Sequence, residues 1–168
     1  NNKIQKMVKV FFFIIAGIIA LSMVIAGSYF WTVQTIYITP ESGESVVVAD
    51  VMYDIEFVKI HDGTKEVKPE GVFFQISITA VSMRDEPTNL SGGQFILVDS
   101  NGITHIAQFL DTGPDELWYE EIEHDVAVTR TTQFDIEYDK DEQYQIIVKP
   151  LKEQKTNEWG KVCVKNCG

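Results

Sequence analysis

The strongest constraint in this sequence is a run of 21 residues, Val10–Phe30, that contains no charged side chain. Twelve of the 21 are Val, Ile, Leu or Phe. A helix of that length rises about 31 Å, close to the roughly 30 Å hydrocarbon core of a bilayer. Val10–Phe30 is therefore predicted to be a transmembrane helix, and the rest of the chain a domain tethered to the membrane by its N-terminal end.

Lysines flank this run on one side only. Lys3, Lys6 and Lys9 precede it, whereas no Lys or Arg follows it until Lys59. An excess of basic residues marks the cytoplasmic side of a membrane helix. We therefore expect residues 1–9 to form a short cytoplasmic tail at the plasma membrane, with the C-terminal domain on the extracytoplasmic side.

A cleaved signal peptide is the alternative interpretation of the same run. The small residues of Val24-Ile25-Ala26, before Gly27, are compatible with a cleavage site. The apolar core of a signal peptide, however, is usually only about 7–15 residues long, and this run is longer. The length favours a retained anchor that stays in contact with the lipid bilayer.

The net charge of the chain limits the kinds of partner that it can bind. Three of its 14 basic residues precede the apolar run, so the remainder carries 11 basic against 25 acidic residues, a formal charge of −14. A domain this acidic is repelled by nucleic acid and by anionic lipid. Nucleic-acid binding is therefore excluded, and a solvated extracellular surface is the simplest interpretation.

Small residues recur on the predicted helix. Ala16 and Ala20 are four positions apart, and Gly17 and Gly27 add to them. Small side chains let membrane helices approach closely, which predicts packing against an integral membrane subunit in the same bilayer. Because Gly and Ala are common in membrane helices, the simpler alternative is that these residues have no partner.

The segment 31–45 is predicted to be a juxtamembrane linker. Trp31 and Tyr37 follow the helix closely, and amphipathic rings favour the membrane–water interface, so both are expected to be interface anchors. Thr39–Ser45 then contains Pro, Gly, Ser and Glu without an apolar residue, which is typical of a hinge.

From residue 46 to 168 the pattern changes to alternation. Val72–Val81 places Phe, Ile, Ile and Ala on one side of a strand and Gln, Ser and Thr on the other. Asn101-Gly102 between two β-prone runs predicts a tight hairpin. Further strands are expected within 46–60, 126–138, 144–149 and 159–164. These short strands, with no helical pattern between them, predict an all-β, antiparallel, immunoglobulin-like β-sandwich behind one transmembrane helix.

Three segments carry a resemblance to a known family. Phe73–Met83 (FFQISITAVSM), Gln94–Gly102 (QFILVDSNG) and Thr131–Pro150 (TTQFDIEYDKDEQYQIIVKP) resemble the telokin-like, immunoglobulin-like domain of membrane-anchored bacterial and archaeal surface proteins. That family is catalogued as a domain of unknown function. The resemblance implies a sandwich fold and an extracytoplasmic interaction role, and it implies no catalytic residues.

The two cysteines, Cys163 and Cys167, are separated by three residues and lie outside the membrane in the predicted topology. An oxidising exterior favours a disulfide between them. Free or partner-facing thiols are one alternative. A copper centre is another, because two cysteines at this spacing resemble those of the cupredoxin-type oxidase subunit. Such a centre needs imidazole ligands, the candidate being His124.

The segment Leu110–Asp125 contains seven acidic and no basic residues. Several carboxylates close together suit a calcium ion, but the spaced acidic loop of a calcium motif is missing, so a solvated acidic loop is the preferred interpretation. Trp118 and Tyr119 within it are predicted to anchor a protein partner, since exposed aromatic rings often do so.

Other site signals are weak. Asn89-Leu90-Ser91 matches the N-glycosylation pattern, with Asn89 as the acceptor. His61, His105 and His124 match no metal-ligand spacing and are expected to be ordinary surface or turn residues. The sequence contains no phosphate-binding loop, nucleophile elbow or catalytic Cys–His spacing, and no cofactor is expected.

Three functions remain open. The first is a non-catalytic accessory or structural subunit of a membrane-protein complex, acting through helix and domain contacts. The second is a copper-binding electron-transfer or metal-delivery domain that uses Cys163 and Cys167. The third is a free-standing adhesion or ligand-sensing ectodomain.

Overall fold

The structure of the protein is a computed structural model. It describes residues 2–111 and 113–167, with side chains except at 2–6, 8–11 and 30–33. Over these residues the chain forms one α-helix and eleven strands. Their bounds are α1 Asn2–Val33, β1 Ile36–Ile38, β2 Val46–Val48, β3 Val51–His61, β4 Val72–Ser82, β5 Thr88–Ser91, β6 Phe95–Val98, β7 Thr104–Gln108, β8 Tyr119–Ile122, β9 Ala127–Ile136, β10 Tyr144–Val148 and β11 Glu158–Lys165.

The helix α1 contains the predicted apolar run and extends beyond it at both ends. Its 32 residues correspond to a length of about 48 Å. Within it, Phe12–Tyr29 is long and apolar enough to cross a membrane. The hydroxyls of Ser22 and Ser28 donate hydrogen bonds to the carbonyls of Ile19 and Ile25, at 2.8 and 2.9 Å. Both hydroxyls are therefore satisfied within the helix and need no water.

The strands form a separate compact unit that begins at Ile36. Across the described residues, nine strands join in one sheet in the order β1-β11-β10-β6-β7-β9-β4-β3-β2, and β5 pairs with β8 in a second sheet. The pairs of both sheets are antiparallel except β1–β11, which is parallel. The predicted all-β class is confirmed.

The main sheet bends around a shared core until it is nearly closed. Strand β7 pairs with β6 through one part of its length and with β9 through the other, so it belongs to both halves of the sheet. The two ends of the sheet also meet. A Cβ atom on Gly160 of β11 would lie 3.0 Å from the Val46 methyls and 3.1 Å from a Val48 methyl of β2. The result is a barrel-like sheet in place of two separate sheets.

The core is filled by the side chains at every second strand position, which point inward. Every second residue of β4 is fully buried, which confirms the inward set predicted for Val72–Val81. Tyr53 of β3 and Phe95 of β6 meet edge to face, with ring centroids 5.8 Å apart. Because these two strands belong to opposite halves of the main sheet, this contact ties the halves together through the core.

Two segments differ from their predictions. The segment Leu110–Asp125 is not only a solvated loop, because it contains β8, which pairs with β5. The linker 31–45 contains the end of α1 and also β1. These short strands are polar or flanked by turn residues, so their alternation is too weak to stand out from the sequence.

The Asn101-Gly102 hairpin exists but is not a two-residue turn. Val98 of β6 pairs with Thr104 of β7, which leaves a five-residue loop. The Asp99 carboxylate organises this loop by accepting hydrogen bonds from the Asn101 and Ile103 N–H groups, both at 2.9 Å. Gly102 has a φ of +80°, a left-handed conformation that glycine adopts without strain.

Candidate functional site

The cysteine pair is a disulfide, which confirms that prediction. The sulfurs of Cys163 and Cys167 are bonded at 2.05 Å, with Cα atoms 5.8 Å apart. Nearby, the side chain of Asn166 donates hydrogen bonds of 2.7 Å to the carbonyls of Lys140 and Glu142. The disulfide therefore closes a small loop that is fastened onto the turn between β9 and β10.

The copper interpretation has no assembled site in the structure. Both thiols are used in the disulfide, so neither is a free thiolate ligand. The third candidate ligand, His124, has its Nε2 3.2 Å from the Asp125 carboxylate. In residues 2–111 and 113–167, no group of three or more His, Cys, Asp or Glu is arranged to hold a metal ion.

The prediction that this acidic segment is a solvated loop is wrong for Glu116, which is buried. Its side chain is only 6% exposed. Its Oε1 accepts hydrogen bonds of 2.6 Å from the Leu110 N–H and from the Gln133 side-chain amide of β9. Glu120 of the same segment forms an ion pair with Arg130 at 2.8 Å. These acids bind protein donors, so the calcium interpretation gains no support.

The segment that carries Glu116 covers part of the main sheet. The Leu117 N–H donates to the Thr131 carbonyl at 2.8 Å, and the Thr131 N–H donates to the Asp115 carbonyl at 2.7 Å. The Leu117 side chain is almost fully buried. Together with the Glu116–Gln133 hydrogen bond, these contacts hold the stretch before β8 against β9.

The two predicted partner anchors beside this cover are exposed. Trp118 is 54% exposed and Tyr119 is 63% exposed. The Trp118 ring packs on Phe109, with centroids 5.2 Å apart. Phe109 in turn lies over Gly92, where a Cβ atom would come within 2.7 Å of its ring. We call Phe109, Trp118 and Tyr119 the aromatic patch.

The predicted juxtamembrane anchors are described only in part. The side chain of Trp31 lies outside the described side chains. Tyr37, on β1, is half exposed, and its ring meets the Trp159 ring edge to face at 6.1 Å. The Nζ of Lys149 lies 5.7 Å from the Trp159 centroid, a cation–π distance. Sequence reasoning missed this cluster because its members come from three separate strand regions.

The predicted helix-packing residues all lie on exposed surface of α1. Ala16, Gly17, Ala20 and Gly27 are exposed, and a Cβ atom at either glycine would contact nothing within 4 Å. They remain available to a partner helix. The packing itself stays a prediction.

The remaining candidates are placed but not brought together. Asn89 lies on β5, half buried, and its side-chain amide donates to Glu153 at 3.3 Å. Glycosylation there stays a prediction. The ring of His61 packs on Phe73 at 5.4 Å, and burial, then the charge of Lys59, lowers its pKa.

His105 faces a hollow in the surface of the domain. Its Nε2 lies 3.3 Å from Asp99, and it lines two adjoining hollows of about 440 and 540 Å³ that also share Glu137. Burial opposes ionisation of Asp99, but hydrogen bonds from Ile103, His105 and Asn101 outweigh it, so the pKa of Asp99 lies below its usual value. Both hollows are shallow and acidic.

Comparison with known proteins finds structures with a similar fold but no matching family. No protein-family profile matches the sequence, and no curated protein sequence matches it. Three solved structures are similar to the domain. A protein of Bacillus subtilis described as a lipoprotein, ycdA, has a TM-score of 0.58 at 13% identity over 74% of this chain, which spans 39% of the ycdA chain.

The other two similar structures are matched over nearly their full length. The yjhA protein of Bacillus subtilis has a TM-score of 0.56 at 14% identity, covering 74% of this chain and 98% of its own. The secreted protein MPT63 of Mycobacterium tuberculosis has a TM-score of 0.52 at 15% identity, covering 70% and 92%. At these identities the likeness establishes the β-rich fold alone.

Proposed function

We propose that this chain is a non-catalytic, membrane-tethered extracytoplasmic domain that acts by binding, as an accessory or structural subunit of a membrane-protein complex. The observation that carries the proposal is the aromatic patch. Phe109 and Trp118 expose large rings to solvent although both are packed in place. Aromatic residues of this kind dominate the energy of protein interfaces.

The patch is held in a fixed conformation. The Trp118 carbonyl accepts a hydrogen bond from the Gly92 N–H at 3.2 Å, and the preceding residue, Leu117, is anchored in the core. A ring that is already held in place loses little conformational entropy when a partner covers it. The patch is therefore pre-organised for a protein contact.

Three features support the membrane tether and its direction. The helix α1 includes Phe12–Tyr29, which is long enough to span a bilayer. The lysines of the N-terminal tail favour a cytoplasmic N-terminus. The lipoprotein and secreted protein with similar folds are in keeping with a domain outside the cytoplasm. The partner is then an integral membrane protein of the same membrane, contacted by helix and domain together.

The finer assignment to a telokin-like, immunoglobulin-like sandwich is part of this proposal. What supports it is the contact between the two halves of the main sheet, where Tyr53 and Phe95 touch across the core. The β7 strand, shared between the halves, gives the sheet its barrel-like closure.

Affinity purification of the full chain from detergent-solubilised membranes tests the proposal. We expect an integral membrane protein, identified by mass spectrometry, to co-purify with the unaltered chain. Trp118→Ala is expected to reduce its recovery about tenfold or more, as truncation of an aromatic anchor at an interface does. Val126→Ala removes an exposed apolar side chain outside the patch and serves as the matched control.

Two results would contradict the proposal. One is a monodisperse monomer in detergent with no co-purifying membrane protein. The other is equal recovery of the partner with Trp118→Ala and with the control, which would show that the aromatic patch is not part of the interface.

A further inference from the structure

The outer surface of one half of the main sheet has an unusual composition. The register of β7, β6, β10 and β11 aligns Ile106 with Ile96, Ile96 with Ile147, and Ile147 with Lys161. The alternating burial of these strands places all four side chains on the side away from the core. Ile106 is 70% exposed. An apolar row that ends in a lysine therefore crosses the outside of four strands.

A second row lies beside the first. Trp159 of β11 pairs in register with Tyr37 of β1, and the Lys149 ammonium lies over the Trp159 ring. We call the two rows together the lysine–isoleucine face. Its members are Tyr37, Ile96, Ile106, Ile147, Lys149, Trp159 and Lys161.

This face is free of acidic side chains in a very acidic domain. The outward positions of the described strands β1, β6, β7, β10 and β11 contain no Asp or Glu. Lys161 is one of these outward residues, and Lys149 directly follows β10. The segment after the N-terminal lysines has 25 acidic against 11 basic residues, so an acid-free surface with two lysines differs sharply from the rest.

The segment that connects the helix to this face is short. Only Gln34 and Thr35 separate the end of α1 at Val33 from the start of β1. Three fully extended residues span at most about 11 Å. The β1 strand, which contributes Tyr37, is therefore bound by its covalent connection to stay close to the C-terminal end of α1.

We propose that the lysine–isoleucine face lies against the phospholipid headgroups of the membrane that α1 crosses. This rests on the membrane tether of the proposed function. Tyr and Trp rings favour the headgroup layer, lysines pair with its phosphates, and isoleucines gain from leaving water. The acidic remainder of the domain is repelled by anionic lipid, which selects this face as the one turned to the bilayer.

Fluorescence quenching by labelled lipids tests the contact with the full chain. The chain is reconstituted in phosphatidylcholine vesicles, with and without added phosphatidylglycerol, that contain lipid with a nitroxide at the headgroup. Trp31→Phe with Trp118→Phe leaves Trp159 as the reporter. The matched control, Trp31→Phe with Trp159→Phe, leaves Trp118, which lies in the aromatic patch.

We expect the nitroxide to quench Trp159 and to leave Trp118 unquenched, with stronger quenching of Trp159 when phosphatidylglycerol is present. In those anionic vesicles, Lys149→Gln and Lys161→Gln are each expected to lower the ratio of docked to undocked domain about fivefold, since a lysine near such a surface contributes about 1 kcal/mol. Thermal unfolding of each variant checks that the fold is retained.

Three results would overturn the contact. Equal quenching of Trp159 and Trp118 would show no preferred face. Protection of Trp159 from aqueous iodide without quenching by lipid would show that protein, such as a second copy of the chain, covers the face. Release of the chain from the vesicles would overturn the membrane tether itself. None of these vesicles contains the partner subunit, so the partner experiment with Trp118→Ala is judged separately.

Discussion

The two outer surfaces of the main sheet differ in the side chains that they expose to solvent. On the β3–β4–β9 side, the outward residues include Ser77, Thr79, Thr129 and Thr131 at the centre of the sheet. Thr79 and Thr129 share a 2.9 Å hydrogen bond across two strands. We call this the threonine face. The lysine–isoleucine face, in contrast, presents isoleucines such as Ile106 directly to solvent.

The threonine face is also partly covered by the chain itself. The stretch before β8 lies on β9, and Glu116 reaches down to the buried amide of Gln133. No comparable segment of the described chain hydrogen-bonds across the Ile106, Ile96 and Ile147 row. The difference teaches that one surface is covered by the domain's own residues, whereas the other is left open by the described chain and is the surface that we propose to contact lipid headgroups.

The largest expected effect concerns the core that both faces share. Burial raises the pKa of Tyr53 to about 12. The folded state therefore holds the hydroxyl proton more tightly than the unfolded state does. Its stability is unaffected below about pH 10 and falls as the pH rises from about 10 to 12, by about 3 kcal/mol.

Urea unfolding across this pH range measures the loss, and Tyr53→Phe is the control because it removes the titrating group. The unaltered protein is expected to lose about 3 kcal/mol more than the variant. Parallel pH profiles for the two proteins would show that the Tyr53 hydroxyl is not buried between the two halves.

The second prediction concerns the stretch before β8 that covers part of the threonine face. Glu116→Ala removes the acceptor of the Leu110 N–H, which becomes unsatisfied. It also removes one of the two acceptors of the Gln133 side-chain amide, which keeps its hydrogen bond to the Gln108 carbonyl. Leaving buried donors unpaired is expected to cost about 2 to 3 kcal/mol in the free energy of unfolding. Glu121→Ala, at an exposed position of the same segment, is the control and should change stability by less than about 0.5 kcal/mol. Similar losses in both variants would mean that the cover is not held by Glu116.

The third effect tests the end of β11, a strand of the lysine–isoleucine face. Replacing Cys163 and Cys167 together by Ala opens the small loop and releases the unfolded chain from that constraint. The loop-entropy estimate predicts a loss of about 2 kcal/mol in urea unfolding. Reduction of the unaltered protein with dithiothreitol should produce the same loss and should not further destabilise the double variant. An unchanged midpoint in both cases would show that the disulfide does not stabilise the fold.

The smallest effect compares the faces directly. Thr129→Ala removes the cross-strand hydrogen bond to Thr79 and is expected to cost about 1 kcal/mol. Lys161→Ala, on the opposite surface, is expected to stay within about 0.5 kcal/mol of the unaltered protein, because the contacts we assign to its ammonium group lie outside the chain. Thermal denaturation measures both. A larger loss for Lys161→Ala would mean that this lysine serves the fold.

The parts of the fold that could be predicted are those in which the alternation is strong. In β4, and in β3 as far as Ile55, apolar residues occupy every second position and are buried as expected. The polar strands β5 and β8 could not be found in this way, because alternation between two polar sets produces no signal. Asn101-Gly102 predicted the hairpin, but its length depends on Asp99, whose hydrogen bonds a sequence pattern does not show.

The candidate sites show the same limit. The disulfide could be predicted from the spacing of the two cysteines and from the predicted extracytoplasmic location, and Trp118 and Tyr119 are exposed as expected of partner anchors. In the sequence, nothing distinguishes Glu116 from the other acidic residues of its segment, because only the fold brings Gln133 close to it. The lysine–isoleucine face could not be predicted either, because its rows join residues from five strands through their register.

Protease accessibility on intact cells tests the central claim most directly, that the domain is tethered by α1 and lies outside the cytoplasm. With an epitope tag at each end, the account predicts that external protease removes the C-terminal tag. The N-terminal tag should stay protected and remain with the membrane after an alkaline carbonate wash. A C-terminal tag that is digested only after permeabilisation, or a chain that is released by carbonate, would contradict the account.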